Sequence, residues 1–313
     1  IALLKGALTA PSFEQSAIDR VRGQVVSIIG SDLKDPDAIA RTAFNAAAFG
    51  DHPYGSALEG TLESVGALTR EDIMNAHRDT MARDRVFISA VGDITADELG
   101  ALIDDLLAAL PETGAAMPER VEVALEPGVT VVEYDTPQSV ALFGHRGIKR
   151  DDPDFFAAFI ASTILGGGGF ESRLMDEVRD KRGLTYGVYS YLSPREHAEM
   201  VLGQVASAND RIGAAIEVIK DEWARIANEG VTQEELDATK TYLTGAYPLR
   251  FDGNAPIARI LMGMQMGELP IDYINTRNDK VNEVTLEHIN RVIKEVYLPD
   301  ELHFTVVGKP DGL

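Results

Sequence analysis

The chain has 313 residues, of which 45% are hydrophobic and 25% charged; this is enough apolar material for about two globular domains, and it excludes a disordered chain. Acidic residues outnumber basic residues by 50 to 29, and the resulting net charge of −21 argues against nucleic-acid and membrane partners, whose phosphates such a chain repels. Cysteine is absent, so disulfides, thiolate nucleophiles and cysteine-ligated metals are excluded from these residues.

Hydrophobic periodicity predicts runs of strands and runs of helices along the chain. The first part is predicted to contain, in order, helices Ser12–Ile29, Pro36–Phe49 and Glu71–Met81, strand Val86–Val91, and helix Ala96–Leu110. The second part is predicted to contain strands Val129–Tyr134 and Ser139–Gly147, helices Asp154–Leu165 and Glu171–Lys181, strands Leu184–Leu192 and Glu199–Ala206, and helices Asn209–Asn228 and Gln233–Tyr247. Elements in runs, rather than in strict alternation, favour an α+β fold.

An internal repeat relates the two parts of the chain. Residues 68–92 align without gaps with residues 284–308 at a constant offset of 216 (285 minus 69), so that Thr69 matches Thr285. Each copy predicts a helix with a threonine N-cap, a turn, and a strand that ends in glycine. The second copy opens at the strand beginning with Val129, so a first copy of similar length would begin about 90 residues before Ile1.

The repeat gives the predicted domain organisation. Residues 1–112 form the C-terminal part of a first α+β module that is truncated at its N-terminus, and residues 113–128 form a linker. Residues 129–313 form a second module of the same type, a mixed or antiparallel sheet flanked by helices.

Neither the histidines nor the glycine run indicates a cofactor site. No two of the six histidines lie three or four residues apart, so no helix presents a histidine pair, and we expect this chain to bind no metal. No Lys-Ser or Lys-Thr follows Gly166, Gly167, Gly168 and Gly169, which argues against a phosphate-binding loop. Backbone flexibility or the close approach of another chain explains the run better, and we take these glycines as candidate substrate-binding residues.

The strongest chemical signal lies after the glycine run. A helix is predicted to stop at Gly183 and to lead directly into a strand, which would let Arg179 in the last helical turn converge with Tyr186. A guanidinium and a phenol hydroxyl together form a donor pair suited to a peptide carbonyl or an oxyanion. Alternatively, Arg179 complements the helix dipole and Tyr186 is a core aromatic residue. Arg182, at the turn boundary, is expected to be solvated.

This segment resembles the insulinase/pitrilysin family of zinc metallopeptidases, which includes mitochondrial processing peptidase. The resemblance runs over the whole chain and depends on the order and spacing of short pieces: Asp-Pro at 35–36, Phe-Gly-Asp-His-Pro-Tyr-Gly at 49–55, Gly-Thr at 60–61, Ser-Arg-Leu at 172–174 and Arg-Asp-Lys-Arg-Gly-Leu-Thr-Tyr at 179–186. It implies two related α+β modules that enclose a chamber. It also maps the family's Arg–Tyr pair, which binds substrate backbone near the scissile bond, onto Arg179 and Tyr186.

The same resemblance implies a departure at the metal site. The family takes its zinc ligands from an inverted H-x-x-E-H motif in the first module, which would precede Ile1, and from a glutamate further along. That glutamate would fall at Ile28, and a companion glutamate at Val21. Neither side chain can ligate zinc, so the resemblance implies that zinc is held by a partner subunit.

Three functions are consistent with these residues and with the family resemblance. The first is the substrate-binding subunit of a heterodimeric metalloendopeptidase, in which a homologous partner supplies zinc, this chain clamps the peptide substrate with Arg179 and Tyr186, and this chain is inactive alone. The second is a non-enzymatic structural subunit, like the core subunits of respiratory complexes that share the family's fold. The third is a self-sufficient zinc peptidase whose metal motif lies upstream. Bacterial relatives of the paired type are often exported, so we expect a periplasmic location.

Overall fold

A computed structural model describes residues 1–167 and 169–313 and divides them into two compact units. The units are assembled from separate stretches: unit 1 from Ile1–Gly30, Leu58–Met117 and Leu249–Tyr273, and unit 2 from Ser31–Ala57, Pro118–Pro248 and Ile274–Leu313. The units therefore interleave along the chain, whereas the predicted boundaries at residues 112 and 128 follow chain order and stay a prediction. None of the helices in the described ranges combines the length and the apolar character needed to cross a bilayer.

The regular elements are twelve helices and five strands within the described residues. The helices are α1 (Ala2–Thr9), α2 (Gln15–Asp32), α3 (Pro36–Phe49), α4 (Leu62–Ala67), α5 (Arg70–Thr80), α6 (Ala96–Leu107), α7 (Phe155–Ser162), α8 (Ile212–Glu229), α9 (Gln233–Ala246), α10 (Asn254–Met266), α11 (Tyr273–Glu283) and α12 (Leu286–Val296). The strands are β1 (Gly128–Glu133), β2 (Gln138–Arg146), β3 (Val188–Pro194), β4 (Glu199–Ala208) and β5 (His303–Gly308). Of two π-helical segments, Thr163–Gly167 ends within the glycine run and Met175–Asp180 follows it.

The helix α3 illustrates how local sequence sets the ends of an element. The side chain of Asp35 accepts the backbone N–H of Asp37 at 3.2 Å, and Pro36 occupies the first helical position, where its missing N–H is not needed. At the other end Gly50 adopts φ +52°, a conformation that favours glycine, and its N–H bonds the carbonyl of Ala46 at 3.0 Å. The predicted bounds of this helix are confirmed residue for residue.

Unit 1 is built from helices, and the strand predicted at Val86–Val91 is wrong. The segment is irregular, and among the described residues no strand of unit 1 lies beside it to share a hydrogen-bond ladder. Its bonds run instead to α10, where the Oγ of Ser89 donates to the carbonyl of Ala258 at 2.8 Å. The repeat-related strand β5 does form, because β1 and β2 pair with it on its two sides. The repeat thus holds for the helices α5 and α12 and not for the strand that follows α5.

The five strands of unit 2 form one mixed sheet in the order β1-β5-β2-β4-β3. The β1–β5 pair is parallel, and the other neighbours are antiparallel. Helices flank the sheet, so the predicted α+β class is confirmed. β3 is an edge strand, with β4 as its one partner among the described strands.

The sheet of unit 2 is covered on both faces. On one face α7, α8 and α12 bury the main core, in which the ring of Phe143 stacks on Phe304 at 5.1 Å between centroids and meets Trp223 edge-on at 5.6 Å. On the other face α3 contacts β2 and β5, and its buried Phe44 and Phe49 belong to a smaller apolar cluster with residues of β4. The side chains of β3 on this second face remain half-exposed, which leaves room for a recess beside α3.

Candidate substrate-binding site

The turn that carries the Arg–Tyr pair is fixed by backbone hydrogen bonds. Gly183 adopts φ +62°, and its N–H bonds the carbonyl of Arg179 at 2.8 Å. The N–H of Leu184 bonds the carbonyl of Val178 at 3.0 Å, so the last carbonyls of the π-helical segment are satisfied by the turn itself. The predicted stop at Gly183 is confirmed. The helix predicted at Glu171–Lys181 has π-helical rather than α-helical geometry from Met175 to Asp180.

Tyr186 projects from the chain just before β3. Its side chain is 91% exposed, which rules out the alternative that it is a core aromatic residue. The neighbouring Thr185 anchors the backbone: its hydroxyl lies 2.6 Å from the carbonyl of Ala206 in β4 and accepts the N–H of Gly187 at 3.1 Å. A large aromatic ring is therefore held in solvent on a rigid support, an arrangement typical of a contact residue.

Arg179 lies at the other end of the turn. Its guanidinium donates to the carboxylate of Asp180 at 3.2 Å, and its side chain is 37% exposed. Ion pairs at such a surface contribute about 0–1 kcal/mol, so this contact does not commit the guanidinium to one partner. Arg179 therefore remains a candidate donor, and its position in the last turn also suits the helix dipole.

A cleft of about 490 Å³ brings Tyr186 together with the glycine run. Gly166, Gly167 and Gly169 line it, while Gly168 lies outside the described residues. Arg179 is not among the described residues that line this cleft. The remaining lining comes from the adjoining turn and the edge strand: Met175, Gly187, Val188, Tyr189, Ser190 and Tyr191.

The glycines in the cleft have physical reasons that differ from one position to the next. A Cβ on Gly166 would lie 2.2 Å from the Oγ of Ser190 and 2.6 Å from its backbone nitrogen, so the close approach at this position is made by the chain's own β3. Gly169 has φ +68° with open space around it. Gly166 thus allows close packing against Ser190, and Gly169 allows a bend of the backbone. As a result, this wall of the cleft carries no side chains at these two positions.

A buried carboxylate that sequence reasoning missed holds the Arg–Tyr turn together. Glu177 is 11% exposed and binds Lys181 at 2.7 Å and Arg182 at 2.5 Å. Hydrogen bonds from these two cations lower the pKa of Glu177 to about 2, and the bond from Lys181 has the larger effect. Arg182 also donates to the Glu177 carbonyl at 2.8 Å while its side chain stays 45% exposed, so it is solvated as expected and paired as well. The spacing of a glutamate four residues before a lysine was the available signal.

The Ser-Arg-Leu piece of the family resemblance has a structural role. Arg173 forms a two-pronged pair with Glu235, at 2.7 and 2.8 Å, and also donates to the carbonyl of Gly230 at 3.0 Å. Glu235 in turn accepts the N–H of Thr232, the N-cap of α9. Arg173 therefore fixes the segment after the glycine run to the start of α9.

The positions that the resemblance assigns to zinc ligands do not fit zinc. Val21 and Ile28 both lie on α2 with half-exposed aliphatic side chains, which carry no donor atom. Over the ranges 1–167 and 169–313, no three or more His, Asp or Glu side chains are grouped so as to hold a metal ion.

Comparisons with known proteins indicate the family of this chain. A family profile described as "Peptidase M16 inactive domain" matches residues 67–243, more than half of the chain. "Non-peptidase homolog YmxG" of Helicobacter pylori is 25% identical over 308 residues, which are 98% of this chain and 71% of that protein. "Uncharacterized zinc protease ML0855" of Mycobacterium leprae is 29% identical over 293 residues, which are 90% of this chain and 64% of that protein. The chain thus spans about two thirds of the length of these relatives.

A solved structure has the same fold. The crystal structure of a peptidase M16 inactive domain from Pseudomonas fluorescens matches with a TM-score of 0.90 and 29% sequence identity, covering 98% of this chain and 73% of that chain. The match extends over unit 1 and unit 2, and the resemblance stated from the sequence is confirmed.

Proposed function

Because this chain belongs to the peptidase M16 inactive-domain family, we propose that it is the substrate-binding subunit of a heterodimeric zinc metallopeptidase. In this proposal a homologous partner subunit carries the zinc, and the chain alone hydrolyses no peptide. The aliphatic side chains of Val21 and Ile28, at positions where the family resemblance puts carboxylates, support the division of labour. We place the assembly in the periplasm as part of the same proposal.

The observation that carries the proposal is Tyr186, a 91% exposed tyrosine that lines a glycine-walled cleft. A peptide in this cleft would cover the Tyr186 ring, and one of its backbone carbonyls would accept a hydrogen bond from the phenol hydroxyl. The glycines let a peptide backbone approach closely, because Gly167 and Gly169 present no side chain. Tyr186 thus orients the substrate relative to the partner's catalytic groups.

Arg179 supplies the second donor in this proposal. Its guanidinium forms a surface ion pair with the Asp180 carboxylate, a kind of contact that contributes little to stability and that a substrate carbonyl can replace. A guanidinium donates through several N–H groups and stays charged at any working pH. Together the two residues hold the scissile region and stabilise negative charge that develops on a carbonyl oxygen.

A non-enzymatic structural subunit is the second candidate function. The name "Non-peptidase homolog", given to the Helicobacter pylori relative, favours it. The two candidates differ in what they require of Tyr186, since a structural subunit needs no exposed phenol at a cleft.

Kinetics of the assembled enzyme distinguish the two. We would purify the full-length protein with its zinc-bearing family partner and measure cleavage of a fluorogenic peptide. Arg179→Ala and Tyr186→Phe should each lower kcat/KM by about 10–10³-fold, with zinc content and assembly unchanged. The matched controls are Arg20→Ala, an exposed arginine of α2, and Tyr242→Phe, a 58% exposed tyrosine of α9, and both should be silent. Silence of Arg179→Ala and Tyr186→Phe would favour the structural subunit.

A further inference from the structure

A second cavity in unit 2 lies beside α3, on the sheet face opposite the main core. It measures about 260 Å³ and is mostly polar. One side of α3 forms one wall, through positions 37, 40, 41, 44 and 45, which recur at helical spacing. The other walls are the side chains of β2, β3 and β4 that face α3, together with Arg195: Val140, Leu142, Tyr189, Tyr191, Leu202 and Gln204. We call this cavity the α3 recess.

The neutral polar groups of the α3 recess satisfy one another. The hydroxyl of Tyr189 donates to the Oε1 of Gln204 at 2.7 Å. The Nε2 of Gln204 in turn donates to the carboxylate of Asp37. This chain of hydrogen bonds runs from the edge strand to the first turn of α3 and holds the mouth of the recess in one arrangement.

The two arginines of the α3 recess, Arg41 and Arg195, take no part in this chain of hydrogen bonds. Arg41 and the guanidinium of Arg195 form neither a hydrogen bond nor an ion pair with any residue that the structure describes. The guanidinium of Arg195 is nevertheless held in place, because it lies 5.4 Å from the ring centre of Phe49 and 5.2 Å from that of Tyr54. Stacking on ring faces fixes a guanidinium while leaving its N–H donors free.

These donors define the chemistry of a ligand. Two guanidiniums face one carboxylate, that of Asp37, so the α3 recess is locally cationic in a chain of net charge −21. Planar N–H forks match the two oxygens of a carboxylate. The volume is below the roughly 300–1,000 Å³ of pockets for drug-sized ligands, and so suits a single side chain or a chain terminus.

We propose that the α3 recess binds a carboxylate of the peptide substrate, either an acidic side chain or the free C-terminus, through Arg41 and Arg195. The inference rests on the proposed function, because Tyr189 and Tyr191 line both the recess and the cleft that contains Tyr186. A peptide that lies in the cleft along β3 has the recess within reach on the other side of these two tyrosines. The recess therefore selects for negative charge in the substrate.

The test is peptide binding by the protein, measured by fluorescence anisotropy. The probes are fluorescein-labelled octapeptides with one central Glu or Gln, each made with a free or an amidated C-terminus. The Glu peptide should bind at least 10-fold more tightly than its Gln counterpart if the side chain enters, and the free acid more tightly than the amide if the terminus enters. Arg195→Gln and Arg41→Gln should reduce the preference below about 3-fold. Arg20→Gln, which removes the same charge elsewhere, should keep it.

A variant that is expected to strengthen binding separates loss of the binding site from loss of folding. Asp37→Asn removes the one carboxylate of the recess and should strengthen binding of the acidic peptide by about 2–10-fold, which an unfolded variant cannot do. Peptides that bind without any preference for a carboxylate would overturn the inference and leave the proposed function standing.

A probe that does not need the cleft separates the two claims. Glutarate alone should bind saturably by calorimetry, with a Kd of about 1–10 mM that Arg195→Gln weakens at least 5-fold. Glutarate binding without peptide binding would support the recess and count against the proposed function. Failure of glutarate to bind would overturn the inference whatever the peptides do.

Discussion

Acid should destabilise unit 2 through one buried histidine. His145 lies on β2 and is 1% exposed. Its Nε2 accepts the indole N–H of Trp223 at 2.9 Å, and its Nδ1 lies 2.6 Å from the carbonyl of Arg146. These partners satisfy a neutral ring with its proton on Nδ1, so a second proton would oppose the Trp223 N–H. Burial accordingly lowers the pKa of His145 from 6.5 to about 4.

The size of the effect follows from the two pKa values. The unfolded chain takes up a proton at this histidine near pH 6.5 and the folded chain near pH 4, so between these limits the unfolded state binds more protons. The contribution of His145 to the free energy of unfolding is therefore fully present above pH 6.5 and is lost as the pH falls towards 4. At about 1.4 kcal/mol for each pH unit, the loss from His145 amounts to about 3 kcal/mol by pH 4.

The assay is urea denaturation between pH 7 and pH 4.5, followed by the fluorescence of Trp223, the chain's one tryptophan. His145→Gln should lose about 2–3 kcal/mol less than the wild type over this interval, because the titrating group is gone while an acceptor for Trp223 remains. Carboxylates titrate in both proteins and cancel in the comparison. His197→Gln, which leaves the Trp223 hydrogen bond intact, should follow the wild type. Equal losses in His145→Gln and the wild type would show that His145 does not cause the loss of stability in acid.

The remaining predictions concern the cleft, its supporting turn and metal content. Gly166→Ala should lower the free energy of unfolding by about 1–3 kcal/mol in urea, because the new Cβ meets Ser190, whereas Gly187→Ala in the same cleft meets open space and should be nearly neutral. Glu177→Gln should lower the Tm, because Lys181 and Arg182 lose their shared carboxylate and keep the Asp176 carboxylate and the Glu177 carbonyl, respectively; in the wild type this contribution is present above pH 4.5 and is lost towards pH 2. Elemental analysis of the dialysed chain should find no stoichiometric zinc, and about one retained zinc per chain would contradict the assignment of zinc to a partner.

Elements that depend on local signals could be predicted from the sequence. The Asp35 cap and the proline after it set the start of α3, and Gly183 sets the turn before β3, because capping involves a few adjacent residues. The strand predicted at Val86–Val91 failed for the opposite reason. A strand exists only with a partner, and the sequence pattern of this segment matches that of β5 without containing the partners that β5 has.

The candidate site was predictable in part. The spacing of Arg179 and Tyr186 pointed to the turn, but the exposure of Tyr186 depends on how the chain leaves the helix. The partner of Arg182 was missed because a buried glutamate looks like a surface residue in a charged helix. Arg41 and Arg195 are far apart in sequence, and only the packing of α3 over the sheet brings them to one recess.

Complementation is the direct test of whether this protein completes the active site of a zinc-bearing partner. Cleavage of a fluorogenic peptide would be measured for this protein alone, for the proposed zinc-bearing partner alone, and for the two mixed in equal amounts. We expect no turnover by this protein alone and an increase of at least 10-fold in kcat/KM when it is added to the partner, with the increase abolished by Arg179→Ala combined with Tyr186→Phe. Turnover by this protein alone, or full activity of the partner without it, would contradict the proposed division of labour between the two subunits.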